Sequence, residues 1–299
     1  MRRTSLANRD GAGLDPCAAL RITVELAPYE AREVTFLLGE VGSKEEAQAI
    51  VATYSKPPAV NAAFERVLAH WDNLLGTVEI RTPDAAMDTM LNRWLLYQTL
   101  SCRIWARSAF YQSGGAFGFR DQLQDVMALV YSCPSIARQQ LLLASAHQFK
   151  EGDVQHWWHP PSGRGVRTRF SDDLLWLPFV TAFYTSVTGD LAVLDEVVPF
   201  LEQPLLKPEE QEAYMQPTVS AESATVFEHC LRAIDRSLAV GEHGLPLMGG
   251  GDWNDGMNRV GPHGKGESVW VGWFLYTTLV EFAPLCDGRN DRPLSLIHI

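Results

Sequence analysis

The apolar positions of this 299-residue chain change period once, early. In the first part Arg21-Ile22-Thr23-Val24-Glu25-Leu26 alternates polar and apolar, and Val34-Thr35-Phe36-Leu37-Leu38 follows a Pro28-Tyr29-Glu30 turn. Such alternation predicts strands. Two short strands cannot bury themselves, so this stretch reads as the last hairpin of a β-sandwich. Ser43-Lys44-Glu45-Glu46 then has the form of a capping box and predicts a helix to about Tyr54. Pro57-Pro58 breaks it. A second helix is expected from about Ala59 to Leu75, with Phe64, Val67, Leu68 and Trp71 on one face.

From Asp84 onward the period is helical. Met87, Met90, Leu91, Trp94 and Leu95 fall three to four apart, as do Leu123, Val126, Met127 and Val130, and, less strictly, Ile136, Leu141, Leu142 and Phe149. Ser171-Asp172-Asp173 reads as a charged cap on a segment carrying Leu174, Leu175, Leu177 and Phe179. Val226, Phe227, Cys230, Leu231, Ile234 and Leu238 make a clean stripe; Val269, Trp273, Tyr276 and Val280 make the last. These stripes are expected to be core, with no convincing strand between them, which places the larger part of the chain in the mainly α class. The expected organisation is the end of a β domain over 1–40, a helical linker over 41–80, a helical domain over 81–290, and a foreign or disordered tail over 291–299, where the helical pattern stops without capping residues. Both ends read as cuts in a longer protein.

Composition narrows the functions. With 25 basic and 36 acidic residues the formal charge is -11, which argues against a general nucleic-acid binder. The five cysteines are scattered without a CxxC pair, favouring reduced thiols and a cytoplasmic setting. No run approaches the ~18 apolar residues of a membrane helix, and the start lacks an apolar signal region.

Chemistry concentrates in the loops. Met248-Gly249-Gly250-Gly251-Asp252-Trp253-Asn254-Asp255-Gly256 puts two carboxylates around an indole and an amide, which suits a sugar: the ring packs on Trp253 and the hydroxyls meet Asp and Asn254. A calcium-type or purely structural turn stays open at this point. Asp252 reads as structural, turned into the loop's own N–H groups, and Asp255 as projecting into a pocket. Tyr111–Gln122 is a Gly-rich helix entry with Arg120, Asp121 and Gln122; Asp121 is either a cap or a sugar ligand. Gln155-His156-Trp157-Trp158-His159 offers stacking surfaces, and Arg164, Arg167 and Arg169 offer donors to hydroxyls or phosphate. His156 and His159 lack a third ligand at a zinc spacing, so no metal is expected. Asp172 is expected to cap its helix and border the pocket.

Together, Tyr111–Asp125, His156-Trp157-Trp158-His159, Arg167–Asp173 and Gly251-Asp252-Trp253-Asn254-Asp255-Gly256 resemble the glycoside hydrolase family 94 phosphorylases over roughly residues 20–285, most closely the β-1,2-glucan branch. The resemblance implies a β-sandwich, a helical linker and an (α/α)6 barrel, here incomplete. It implies inverting phosphorolysis of β-glucosidic bonds to α-glucose 1-phosphate, and the reverse, with no cofactor beyond phosphate as co-substrate. A phosphorylase needs one acid and no base, because phosphate is itself the nucleophile. By the motif match that acid is Asp255, and Trp253 and Asp121 hold the non-reducing glucosyl unit; Arg120, Gln122, Trp157, Trp158, His159, Arg167, Asp172 and Asn254 are the further candidate sugar contacts. Some members carry Arg six residues before the equivalent of Asp121; here Gly115 stands there, which favours the glucan branch. The family's phosphate contacts lie downstream, so the chain as given is not expected to perform efficient phosphorolysis. The expected partners are β-glucan and phosphate, with a homodimer in the intact protein and the parent either free in the cytoplasm or attached to a membrane synthase. Two rival readings remain: an inverting hydrolase with Asp121 or Asp172 as base, and a non-catalytic glucan-binding module.

Overall fold

In the computed structural model the residues described are 19–106 and 115–289, with 6, 9, 11–14 and 17. The Tyr111–Gly114 part of the glycine-rich motif and the 291–299 tail lie outside them. The chain divides into two units, Met1–His70 and Trp71–Ile299.

In the first unit α1 spans Lys44–Tyr54, and α2 starts at Pro57 and runs to Leu75 across the division. The capping box forms with a shift. Ser43 Oγ accepts from Glu46 N at 3.1 Å, while Glu46 Oε2 reaches Gly42 N at 3.0 Å, one residue before the cap. The Pro57-Pro58 pair opens α2 where a gap was expected, because a proline at the first helical position loses no hydrogen bond. The expected strands are not paired. Among the described residues 19–42 form no ladder, and Leu20, Ile22, Val24, Leu26, Phe36 and Leu38 are exposed. The alternation is that of a strand edge, and a strand is stable only beside another.

In the second unit a short helix α3, Ala85–Thr89, capped by Asp84, passes through wide turns and a kink at Asn92–Arg93 into α4, Leu95–Gln98. The main helices are α5 (Phe119–Met127), α6 (Pro134–Ser145), α7 (Asp173–Thr188), α8 (Val226–Ser237) and α9 (Val269–Gly288). α7 is central and packs on α5, α6, α8 and α9. Its Leu174, Trp176, Leu177 and Val180 join Phe119, Leu123 and Val126 of α5 and Val226, Cys230 and Ile234 of α8 in one core.

Strands interrupt this helical domain, against expectation. β1 (Phe117–Gly118), β2 (Gln155–His159), β3 (Arg164–Thr168) and β5 (Glu212–Met215) form an antiparallel sheet in that order, while β4 (Val197–Glu202) pairs with β6 (Thr218–Thr225). β2 and β3 carry Trp, His, Arg and Thr more than aliphatic residues, so their alternation is easily read as loop, while the apolar β4 is interrupted by Pro199. At Gly165 a Cβ would lie 2.1 Å from Trp157 O, which is why β2 and β3 can pair only with glycine there.

The last stripe is also corrected. α9 buries Val271, Leu275, Thr278 and Phe282 and leaves Val269, Trp273, Tyr276 and Val280 exposed. The helix is apolar all round, so periodicity could not choose its buried face. At 20 residues and a mean hydropathy of 1.3 it also reaches the length and composition of a membrane span, against the expectation that no run does.

Candidate active site

Glycine places the Asp252–Asp255 loop. Gly249 has φ +63°, and a Cβ there would meet Arg169 O at 2.1 Å; at Gly251 it would meet the Phe170 ring at 2.2 Å. The bare backbone therefore lies directly on 169–171, with Gly250 N donating to Arg169 O (2.9 Å) and Ser171 N donating to Gly251 O (3.0 Å). This clamps the loop beside the start of α7.

Within the loop the two acids part company. Asp252 is buried: Oδ1 accepts from Asn254 N (2.9 Å) and Oδ2 from Ser268 Oγ (2.7 Å), the residue that caps α9. Asn254 Oδ1 accepts from Gly256 N at 3.1 Å and caps the short turn Asp255–Met257. Asp255 begins that turn with its side chain 53% exposed. Trp253 is exposed beside it, its Nε1 donating to Gln124 Oε1 of α5 at 3.3 Å.

Arg120 joins the loop to the interior. Its Nη2 donates to Asp255 Oδ1 at 2.5 Å. Its Nη1 donates at 3.2 Å to Asp172 Oδ1, Asp172 Oδ2 and Asp252 O. Arg120 is thus a buried arginine committed to protein acceptors and not, as expected, a donor to substrate. Asp172 is fully buried and also accepts from Trp176 Nε1 at 3.2 Å. Its side chain makes no cap bond, contrary to the expected N-cap: the carboxylate turns inward to the guanidinium. Asp173, equally buried, binds His156 Nδ1 through Oδ2 at 2.7 Å. Its other oxygen has no hydrogen-bond partner among the described residues.

The charges are strongly coupled. Burial opposes charge on Arg120, but Asp172, Asp173 and Asp255 hold its pKa above the ordinary value. Burial also disfavours protonated His156, yet Asp173 prevails and the imidazole is raised. Burial and the neighbouring Asp173 push Asp172 up to about 7, against the pull of Arg120, which it shares with Asp255. Both raised groups bind their proton more tightly folded than unfolded. Their stabilisation is complete below the unfolded values and is lost as pH rises through the folded ones. The thermal midpoint should therefore fall between about pH 5 and pH 8, with a shallower slope in Asp172→Asn; a midpoint flat over that range would contradict the assignment.

Asp121 stands in the first turn of α5, 40% exposed, with Arg103 Nη2 at 3.5 Å; Arg103 Nε also donates to Asp125 Oδ2 at 2.9 Å. The remaining candidates are not assembled here. Gln122 is buried and spends its amide on Arg103 O (3.3 Å) and Gln140 Nε2 (3.0 Å). Trp158 is buried, stacked on His147 at 3.7 Å and edge-on to Phe117. Arg167 is buried over the Phe149 ring and held by Asp153, Glu151 and Gln203 O. These three serve the interior, so the expectation that they contact sugar is corrected. Trp157 and His159 turn to the other face of β2 and meet Tyr214 at 5.5 and 6.2 Å between ring centres. A cavity of about 680 Å³ beside the glycine run is lined by Arg169, Phe170, Gln211 and Gly249, but neither Trp253 nor Asp255 lines it. The acid instead opens to the surface. His156 and Asp173, expected as a stacking-loop residue and as part of the charged cap on α7, instead pair with each other beside this cluster.

The profile of the Glycosyl hydrolase 94 superfamily, catalytic domain, matches residues 70–295, and that of the Glycosyl hydrolase 94, supersandwich domain, matches residues 1–57. The chain is 48% identical over 280 residues to the cyclic beta-(1,2)-glucan synthase NdvB of Rhizobium meliloti, covering 93% of this chain and 10% of that protein. It is 30% identical over 304 residues to the N,N'-diacetylchitobiose phosphorylase of Vibrio furnissii, covering 92% and 35%. It is 23% identical over 242 residues to the 1,2-beta-oligoglucan phosphorylase of Listeria innocua, covering 77% and 21%. The chain thus spans between about a tenth and about a third of the length of these relatives. With a catalytic-domain match over most of its length, the chain belongs to the glycosyl hydrolase 94 superfamily.

Proposed function

We propose that this chain carries the acid-bearing part of the active site of an inverting β-glucan phosphorylase, acting on β-1,2 linkages and yielding α-glucose 1-phosphate. The observation that carries the reading is the state of the carboxylates. Asp255 is the exposed one on the Gly-rich loop, beside an exposed indole, while Asp172, Asp173 and Asp252 are buried. An inverting hydrolase needs a second carboxylate open to water on the far face of the sugar. Asp172 has no exposure and cannot act as that base. Asp121 alone stays partly open, and Arg103 lies against it.

In the proposed step Oδ1 of Asp255 is taken by Arg120, so the transferable proton rides on Oδ2. That proton passes to the glycosidic oxygen as the C1–O bond breaks, and a phosphate oxygen forms the new C1–O bond from the opposite face. Trp253 offers a stacking surface to the glucosyl ring, with Asp121 and Asn254 as hydroxyl partners. We read 81–290 as part of an (α/α)6 barrel, 1–40 as the end of a β-sandwich, and 41–80 as the linker; the supersandwich match over 1–57 and the catalytic-domain match over 70–295 support that order of domains. β-Glucan and phosphate are the proposed partners, the cytoplasm the proposed compartment. Turnover of a β-1,2-glucan by a protein carrying this chain at the length of its relatives should require inorganic phosphate; equal turnover without phosphate would favour the hydrolase with Asp121 as base.

A further inference from the structure

Asp255 sits on an exposed three-residue turn whose own bonds do little to aim it. The local bonds, Gly256 N donating to Asn254 Oδ1 and Met257 N donating to Asn254 O, close the turn's backbone without touching the Asp255 carboxylate. Its direction comes from Arg120 Nη2 at 2.5 Å. The other end of that guanidinium is fixed by three acceptors at 3.2 Å, so the planar fork has one orientation left. The question is what fixes Asp172. Its backbone neighbour Asp173 is the first residue of α7, 1% exposed, and its Oδ2 is tied to His156 Nδ1 across to β2 at 2.7 Å.

Two features of Asp173 are unusual for a helix-start acid. Its Oδ1 is buried with no hydrogen-bond partner, an arrangement that ordinarily costs about 1–3 kcal/mol and asks for a reason. The partner of its other oxygen is a histidine that itself lies within electrostatic reach of Arg120 and Asp255. The groups facing His156 are therefore Asp173 from α7, Arg120 from α5 and Asp255 from the loop, with the Phe170 ring 4.6 Å away. His156, Arg120 and three carboxyls, including Asp172, share one cluster whose inner members are buried, so moving either His156 or Asp173 changes the geometry at the others.

We propose that His156 and Asp173 are positioning residues for Asp255: the His156–Asp173 pair fixes the start of α7, Asp172 in turn fixes Arg120, and Arg120 holds Asp255 Oδ1 so that Oδ2 faces the bond to be broken. The inference rests on the reading of Asp255 as the acid. Neither residue touches the sugar in this account. They act on the proton-transfer step and not on substrate affinity.

The test compares His156→Gln and Asp173→Asn, in a protein carrying this chain at the length of its relatives, on two substrates. One is β-1,2-glucan, whose alkoxide leaving group needs a proton; the other is 4-nitrophenyl β-glucoside, whose phenolate leaves without one. On glucan, both variants should lower kcat by about 10–100-fold with KM nearly unchanged, as expected for a misplaced catalytic group. Both should also move the limb of the pH–kcat profile, and both should lose far less on the aryl glucoside. In an Asp255→Asn background, His156→Gln should cost little more. Unchanged kcat and pH profile in both variants, or an equal loss on both substrates, would overturn the proposal. So would failure of both variants to fold, which would assign the pair a purely structural role. If Asp255→Asn itself retains glucan turnover, the acid assignment fails, whatever the His156 result.

Discussion

Asp255→Asn should lower turnover of a β-1,2-glucan by about two to four orders of magnitude, the usual contribution of a positioned general acid. The substitution is nearly isosteric on a side chain that is 53% exposed, so stability should change by less than about 1 kcal/mol. Oδ1 still faces Arg120, and the loop keeps its clamp through Gly250 N to Arg169 O and Ser171 N to Gly251 O. What disappears is the proton on the second oxygen. The loss should therefore scale with the leaving group and be largely recovered on an aryl glucoside whose phenolate departs unaided. Substrate affinity should hold, since Trp253 and Asp121 are untouched. Steady-state kinetics on the two substrates, with a thermal melt as the folding control, checks this. Retained glucan turnover would remove Asp255 from the role of acid.

Arg120→Met should be the most damaging replacement for the fold of the site. Among the described residues the guanidinium is the cation bonded to Asp172, which is wholly buried. Removing one partner of a buried ion pair leaves an uncompensated charge and costs about 3–5 kcal/mol, more than the pair itself contributes. Asp172, already pushed up to about 7, would then be driven towards its neutral form. Asp255 would lose the arginine that holds its Oδ1, so kcat should fall with stability. Arg120→Lys should not rescue either property, because a single ammonium cannot span Asp172, Asp252 O and Asp255 together. Denaturant unfolding monitored by tryptophan fluorescence measures the first effect; an Arg120→Met midpoint equal to the parent's would contradict the buried-cluster account.

How far the sequence was legible depended on whether a residue's role is local. The Ser43 cap is, and it formed, with Glu46 reaching Gly42. The α8 stripe is too: a helix with one apolar face has one way to pack, and Val226, Phe227, Cys230, Leu231 and Ile234 are buried. α9 is apolar on every face, so its sequence could not say that Trp273 and Tyr276 would stay outside. β2 and β3 were hidden because their alternating residues are tryptophan, histidine and arginine, which read equally as a binding loop. The motif residues divide in the same way. That Asp252 would serve the loop and Asp255 leave it follows from backbone bonds two residues apart. That Arg120 would turn inward, and that Gln122, Trp158 and Arg167 would be spent on Gln140, His147 and Asp153, depends on partners far along the chain. His156 and Asp173, 17 residues apart in sequence, became a pair only through the packing of β2 beside the start of α7.

In the proposed reaction Asp255 supplies the proton and phosphate is the nucleophile. The most direct measurement is ³¹P and ¹H NMR of the first product formed from β-1,2-glucan in phosphate buffer by a protein carrying this chain at the length of its relatives. The account predicts α-glucose 1-phosphate as that product, absent when phosphate is omitted and absent in Asp255→Asn. Free glucose appearing first, at the same rate with and without phosphate, would contradict it.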